Sequence, residues 1–169
     1  MKLLLGSHST GKTTLLEEVS KKFPNYYVTD GFSRPVLRIS NMLDLSSTER
    51  QIILNELSTW AYENHIKHSN VISTRSIIDC IIYTQILNPE IEVDQMIELF
   101  QETQNKVEYF FYLPVEFPFA EDPERLSYEL QLKVDNIIKD FIAAFIPAEK
   151  LITVKGTLEE RLDIISNYL

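Results

Sequence analysis

Gly6-Ser7-His8-Ser9-Thr10-Gly11-Lys12-Thr13 follows the apolar run Lys2-Leu3-Leu4-Leu5 and opens a stretch that reads as a helix. These residues fit G-x-x-x-x-G-K-[ST] at every fixed position, with a strand signal before and a helix signal after. The chemistry asks for that arrangement. Small residues let backbone N–H groups curl around phosphates, and the helix N-terminus adds its partial positive charge. The pattern therefore assigns a nucleotide-phosphate site to Gly6, Ser7, His8, Ser9, Thr10, Gly11, Lys12, Thr13 and Thr14. Lys12 is expected to reach the β/γ-phosphates, and Thr13 to offer its hydroxyl to Mg²⁺, a hard cation that prefers oxygen ligands. ATP with Mg²⁺ is the implied pair. His8 is expected to contribute only its backbone N–H, since a lone histidine in such a loop is more often a spacer than a base.

Outward from this loop, short β-type runs recur at Lys2–Leu5, Tyr26–Thr29, Val71–Thr74, Tyr109–Leu113 and Leu151–Val154, with helical pattern between them. Five strands alternating with helices predict a parallel sheet covered on both faces, because each parallel crossover needs a covering helix. The fold class is α/β: a doubly wound, three-layer P-loop NTPase fold with a five-stranded parallel sheet. Residues 1–169 are expected to form one such unit. Ser46 with Glu49, and Thr157 with Glu160, have capping-box spacing. The first opens a run in which Ile52, Ile53, Leu57, Trp60 and Ala61 predict a core face, so Trp60 is read as packing; the second opens one carried by Leu158, Leu162, Ile165 and Leu169. Leu113–Ser127 holds three prolines and the charged run Glu121-Asp122-Pro123-Glu124-Arg125, and predicts a lid-like loop over 114–127. A further helix follows from Leu130, Val134, Ile137, Ile138, Phe141, Ile142 and Phe145, ending at Pro147.

Composition narrows the function classes. With 25 acidic against 16 basic side chains the formal charge is −9, and the averaged field repels phosphate polymers and anionic lipid. Nucleic acid is thus a disfavoured partner, and phosphate binding must be local. The single Cys80 lies in an apolar run, is read as core packing, and forms no internal disulfide, which fits a reducing cytoplasm. No cysteine or histidine spacing suggests a metal cluster. The Lys2–Leu5 run ends at Gly6, too short for a signal peptide, and no stretch approaches the roughly 18 apolar residues of a membrane span, so a soluble cytoplasmic protein without a membrane partner is expected.

Over nearly its whole length the chain resembles the AAA-type P-loop proteins related to the ribosylnicotinamide kinase domain, within the nucleoside and nucleotide kinase group. Besides Gly6–Thr13, the resemblance is carried by Asp30-Gly31-Phe32-Ser33-Arg34, by Val71-Ile72-Ser73-Thr74-Arg75-Ser76-Ile77-Ile78-Asp79, by Asp122-Pro123-Glu124-Arg125 and by Val154-Lys155-Gly156-Thr157. It implies a kinase-like fold, ATP as donor, Gly156 on the adenine side and Arg125 as a lid arginine. Two positions depart from the family. Thr74 stands where relatives often carry an aspartate that serves Mg²⁺, leaving Asp30 or Asp79 to hold the metal's waters, and Pro123 replaces a lid glycine.

In an open α/β sheet, ligands bind outside the carboxyl ends of the strands. Asp30 follows the second strand and reads either as the group that takes the acceptor's proton or as a turn cap. Arg34 suits an oxyanion, Arg75 follows the third strand, and Asp79 lies one helical turn on, where it can face the acceptor or pair with Arg75. Lys12, Asp30, Arg34 and Arg125 are the expected catalytic groups; Asp30, Arg34, Arg75 and Asp79 the expected acceptor groups. The expected activity is an ATP-dependent kinase whose partner is a small nucleoside, nucleotide or similar hydroxyl. The alternatives are a kinase for a polynucleotide end or a modified-base hydroxyl in DNA, and an NTP-hydrolysing switch with no acceptor.

Overall fold

The computed structural model describes residues 1–30, 44–74, 76–117 and 127–169. Arg34, Arg75 and Arg125 lie outside the described residues, as does the 118–126 portion of the expected lid. Five strands form one parallel sheet: β1 (Lys2–Leu5), β2 (Tyr27–Thr29), β3 (Val71–Ser73), β4 (Tyr109–Tyr112) and β5 (Leu151–Thr153), in the order β2-β3-β1-β4-β5. All five expected strands are present. Where β3, β4 and β5 end one residue early, the next residue still bonds across: Thr74 N–H donates to Thr29 O at 3.1 Å, Leu113 N–H to Leu5 O at 2.8 Å and Val154 N–H to Tyr112 O at 2.8 Å.

The helices are α1 (Lys12–Lys22), α2 (Ser47–His65), α3 (Ile77–Leu87), α4 (Asp94–Thr103), α5 (Tyr128–Phe145) and α6 (Leu158–Ser166). Alternation along the strands divides the core between the two sheet faces. Leu4, Ile72, Phe111 and Val154 meet α1 and α6 through Leu15, Leu16, Val19 and Ile165, whereas Leu3, Leu5, Val71, Phe110 and Tyr112 pack with residues of α2 to α5. This gives the three-layer, doubly wound architecture. Because β3 and β4 flank β1 on opposite sides, the crossovers diverge there, and the loop after β1 opens at the switch point where such folds bind ligands.

Both expected capping boxes form, at Ser46/Glu49 and Thr157/Glu160. A third opens α3: Ser76 accepts from Ile78 N–H at 3.1 Å, and Asp79 Oδ2 accepts from Ser76 N–H at 3.0 Å. The α2 stripe is rotated from the expected one. Gln51, Asn55, Ala61 and Tyr62 face inward, while Trp60 is 61% and Ile52 42% exposed. Burying the two amides is tolerated because they bond each other at 2.9 Å and Thr84 Oγ1 donates to Asn55 Oδ1 at 3.0 Å. Trp60 is therefore not a core residue. Leu158, also expected inside, lies at the surface in the first turn of α6. Cys80 packs, half-buried, against the α2–α5 core as expected.

Candidate functional site

The loop between β1 and α1 has the backbone its sequence calls for. Gly11 sits at φ 87° as the N-cap of α1. Gly6 passes so close to the β4 edge that an added Cβ would stand 2.6 Å from Leu113 O. Ser9, at φ 63°, takes a left-handed conformation without being glycine, a strain typical of sites whose surroundings over-determine the backbone. Lys12 is buried, and its ammonium donates to Gly6 O and Ser7 O, both at 2.7 Å. Thr10 Oγ1 donates to Ser7 O at 3.0 Å. Ser7 Oγ is buried with no hydrogen-bond partner among the described residues. Thr14 lies exposed one residue beyond Thr13.

On the β2–β3 side, one carboxylate joins three segments. Asp30 Oδ2 accepts from Thr13 Oγ1 at 3.0 Å, and Asp30 Oδ1 accepts a short hydrogen bond from Thr74 Oγ1. The residue after β2 is thus placed against both the loop hydroxyl expected to serve Mg²⁺ and the position after β3 where the aspartate is absent. Asp79 is only 6% exposed and caps the N-terminus of its own helix in the α3 capping box. An exposed carboxylate beside a threonine hydroxyl is an all-oxygen donor set that suits Mg²⁺. Among the described residues no group of three or more His, Cys, Asp or Glu side chains gathers to make a protein-only cage.

On the β4–β5 side stand residues that the sequence did not single out. Arg161, on α6, is 2% exposed and reaches Thr10 O, Gly156 O and Glu116 at 2.6, 3.0 and 2.7 Å. Its guanidinium lies over the Phe117 ring, 4.5 Å from the centroid. Gly156 N–H donates to Glu116 at 3.0 Å, which places Gly156 beside the phosphate loop through a shared set of partners. Burial pushes the Glu116 carboxyl up, but the hydrogen bonds from Arg161 and the Gly156 amide, with the charges of Arg161 and Lys155, outweigh it and hold Glu116 below the usual carboxylate range.

His8 does more than contribute a backbone group. Its Nε2 faces Ser127 O at 3.3 Å and its Nδ1 faces Tyr83 OH at 3.2 Å, while Gln131 Nε2 donates to His8 O at 2.7 Å. A carbonyl only accepts, so the contact with Ser127 O is a hydrogen bond when Nε2 carries a proton. The ring ties the loop to α3 and to the start of α5. Nearby, burial and then the Asp135 carboxylate, which accepts from Tyr112 OH at 2.8 Å, raise the Tyr112 phenol above its ordinary range. Arg161 could have been found from sequence by register alone, since it lies one helical turn before Ile165 on the buried stripe of α6. No motif signals Tyr83, Gln131 or Glu116.

The AAA domain family's sequence pattern matches residues 2–161, from β1 through Arg161. The chain belongs to the AAA domain family. Among solved structures it is similar to deoxyadenosine kinase from M. mycoides, with dCMP and a flexible dCDP bound, at 16% identity and a TM-score of 0.70 over 99% of this chain and 98% of that one. It is similar to the NadR protein in complex with NR, at 17% identity and a TM-score of 0.73, with 99% of this chain matching 50% of that one. It is also similar to thymidylate kinase from Ehrlichia chaffeensis, at 17% identity and a TM-score of 0.62, over 99% and 97% of the two chains. At such identities the likeness establishes a shared fold. No curated protein matches the sequence. Among the described residues no helix is long and apolar enough to cross a membrane.

Proposed function

We propose that this protein transfers the γ-phosphoryl group of ATP to a hydroxyl of a small nucleoside or nucleotide. The observation that carries the reading is Asp30, held between Thr13 of the phosphate loop and Thr74 after β3 at the carboxyl edge of the sheet. A carboxylate at that point supports the reading because it would stand between a donor on the phosphate loop and an acceptor at the strand ends. The names of the similar structures support the acceptor class: two are kinases of a deoxynucleoside and of thymidylate, and a third binds NR.

Each described group has a task in the transfer. The loop amides and the N-terminus of α1 hold the phosphates, and Lys12 exchanges its two carbonyl partners for phosphate oxygens. Thr13 and the waters of Asp30 would hold Mg²⁺, which when bound neutralises charge on the β- and γ-phosphate oxygens. As the acceptor hydroxyl forms its bond to the γ-phosphorus, the bond to the β–γ bridging oxygen breaks, and Asp30 takes the hydroxyl proton. Arg34, Arg75 and Arg125 remain proposed as cationic groups for the acceptor and the transferring phosphoryl, and Gly156 as part of the donor's base side. A net charge of −9 favours a small acceptor over a polynucleotide, and the single cysteine fits a cytoplasmic setting.

Incubation with γ-labelled ATP and panels of nucleosides, nucleotides and oligonucleotides tests the reading. Label in a nucleoside or nucleotide supports it. Label only in oligonucleotides, or phosphate release without any labelled acceptor, replaces it with one of the two alternatives.

A further inference from the structure

Arg161 distributes its guanidinium over three chain segments that sequence keeps far apart. Nη1 donates to Thr10 O at 2.6 Å, Nε to Gly156 O at 3.0 Å and Nη2 to Glu116 Oε2 at 2.7 Å, while the Phe117 ring covers the guanidinium face at 4.5 Å. A side chain 2% exposed keeps its charge only when paired and hydrogen-bonded, and these contacts meet that demand. A bond to Thr10 O is not needed to fill space there. An aliphatic residue of similar volume would do that without burying a charge.

The Thr10 carbonyl matters because a trans peptide is planar, with C=O and N–H pointing in opposite directions. No cis peptide occurs among the described residues, so fixing Thr10 O on Arg161 turns the Gly11 N–H the other way. Arg161 comes to the loop from α6, packed with Phe117 and bonded to Gly156, so the Gly11 N–H is directed away from that side. One residue earlier Ser9, at φ 63°, holds a left-handed conformation that a non-glycine residue keeps where its surroundings over-determine the backbone.

We infer that Arg161 is the positioning residue of the phosphate loop, holding the Thr10–Gly11 peptide so that the Gly11 N–H points at the bound phosphates. The inference rests on the loop being an ATP site. It deepens that reading by assigning part of phosphate affinity to a residue on α6 that acts through the Thr10–Gly11 peptide.

The test is calorimetric titration of the full chain with Mg-ATP and with Mg-tripolyphosphate, which has phosphates and no base. Arg161→Lys keeps the charge but cannot make the three bonds of the guanidinium fork. It is expected to weaken both ligands by the same factor, about 10- to 100-fold, the worth of one charge-assisted hydrogen bond transmitted to the loop. Should that variant fail to fold by circular dichroism, Glu116→Gln, which leaves the guanidinium in place and loosens one of its anchors, is expected to weaken both ligands by a smaller common factor. A folded variant with wild-type affinity for tripolyphosphate overturns the inference and shows Arg161 to be a fold staple. So does a loss confined to Mg-ATP, which places Arg161 on the base side instead. Failure of the wild type to bind either ligand overturns the ATP reading itself, and the inference with it.

Discussion

Asp30→Asn separates what this carboxylate does from where it sits. Its oxygens accept one bond each, from Thr13 Oγ1 at 3.0 Å and from Thr74 Oγ1. In asparagine one oxygen remains an acceptor, and the amide group faces the other hydroxyl, which rotates to accept. Both contacts survive as neutral hydrogen bonds, about half as strong as charge-assisted ones. Because Asp30 is exposed, stability should change by less than about 1 kcal/mol. Chemistry should change far more. Loss of a general base lowers a rate by about 10²–10⁴-fold, which is roughly 2.7–5.4 kcal/mol at about 1.36 kcal/mol per decade. Contact with Thr13 further predicts that ATP affinity falls about tenfold with Mg²⁺ present and stays unchanged in EDTA, since the charge helps order the metal's waters. Single-turnover transfer of labelled phosphate gives the rate, and calorimetry with and without Mg²⁺ gives the affinities. A lower rate with unaltered Mg-ATP affinity would limit Asp30 to proton transfer. A mutant with wild-type kcat and wild-type Mg-ATP affinity would refute both roles and leave Asp30 a turn residue.

Lys12→Ala should lower kcat by at least about 10²-fold and weaken ATP binding, with circular dichroism unchanged, because the ammonium, bonded to the carbonyls of Gly6 and Ser7, serves phosphate charge rather than the apolar core. Asp79→Ala should lower the denaturant midpoint by the equivalent of about 1–2 kcal/mol through loss of the α3 capping box; an unchanged midpoint would remove that role. Trp60→Ala should change stability by no more than about 0.5 kcal/mol, and the lone tryptophan should be readily quenched by iodide, since the ring is 61% exposed. Glu116 has a folded-state pKa below its unfolded value, so the stability it contributes is present above the ordinary carboxylate range and is lost as pH falls through the folded value. Urea midpoints below about pH 4.5 should therefore drop less steeply for Glu116→Gln than for wild type. Parallel acid slopes would count against the Arg161–Glu116 pairing.

The parts of this protein legible in its sequence are those that physics writes locally. Strand runs, the two capping boxes and the Gly6–Thr13 loop each depend on residues within a few positions of one another, and all stand where the pattern put them. The β-α alternation then implied a parallel sheet covered on two faces, and the opposed cores about Leu4 and about Leu3 and Leu5 follow from the period of a strand. Tertiary structure alone decided which stripe of α2 turns inward, because Gln51 and Asn55 could be buried only once Thr84 of another helix came within hydrogen-bonding distance. It alone set the surroundings of Asp30 and Asp79, which sequence left alike: one met the hydroxyls of Thr13 and Thr74, the other the N-terminus of its own helix. For Arg161 register gives the buried stripe of α6, but not what the side chain meets there. Its partners Thr10, Glu116 and Gly156 converge only when β1, β4 and β5 lie side by side, and hydrogen bonds between residues as many as 151 positions apart leave no periodic trace in the chain.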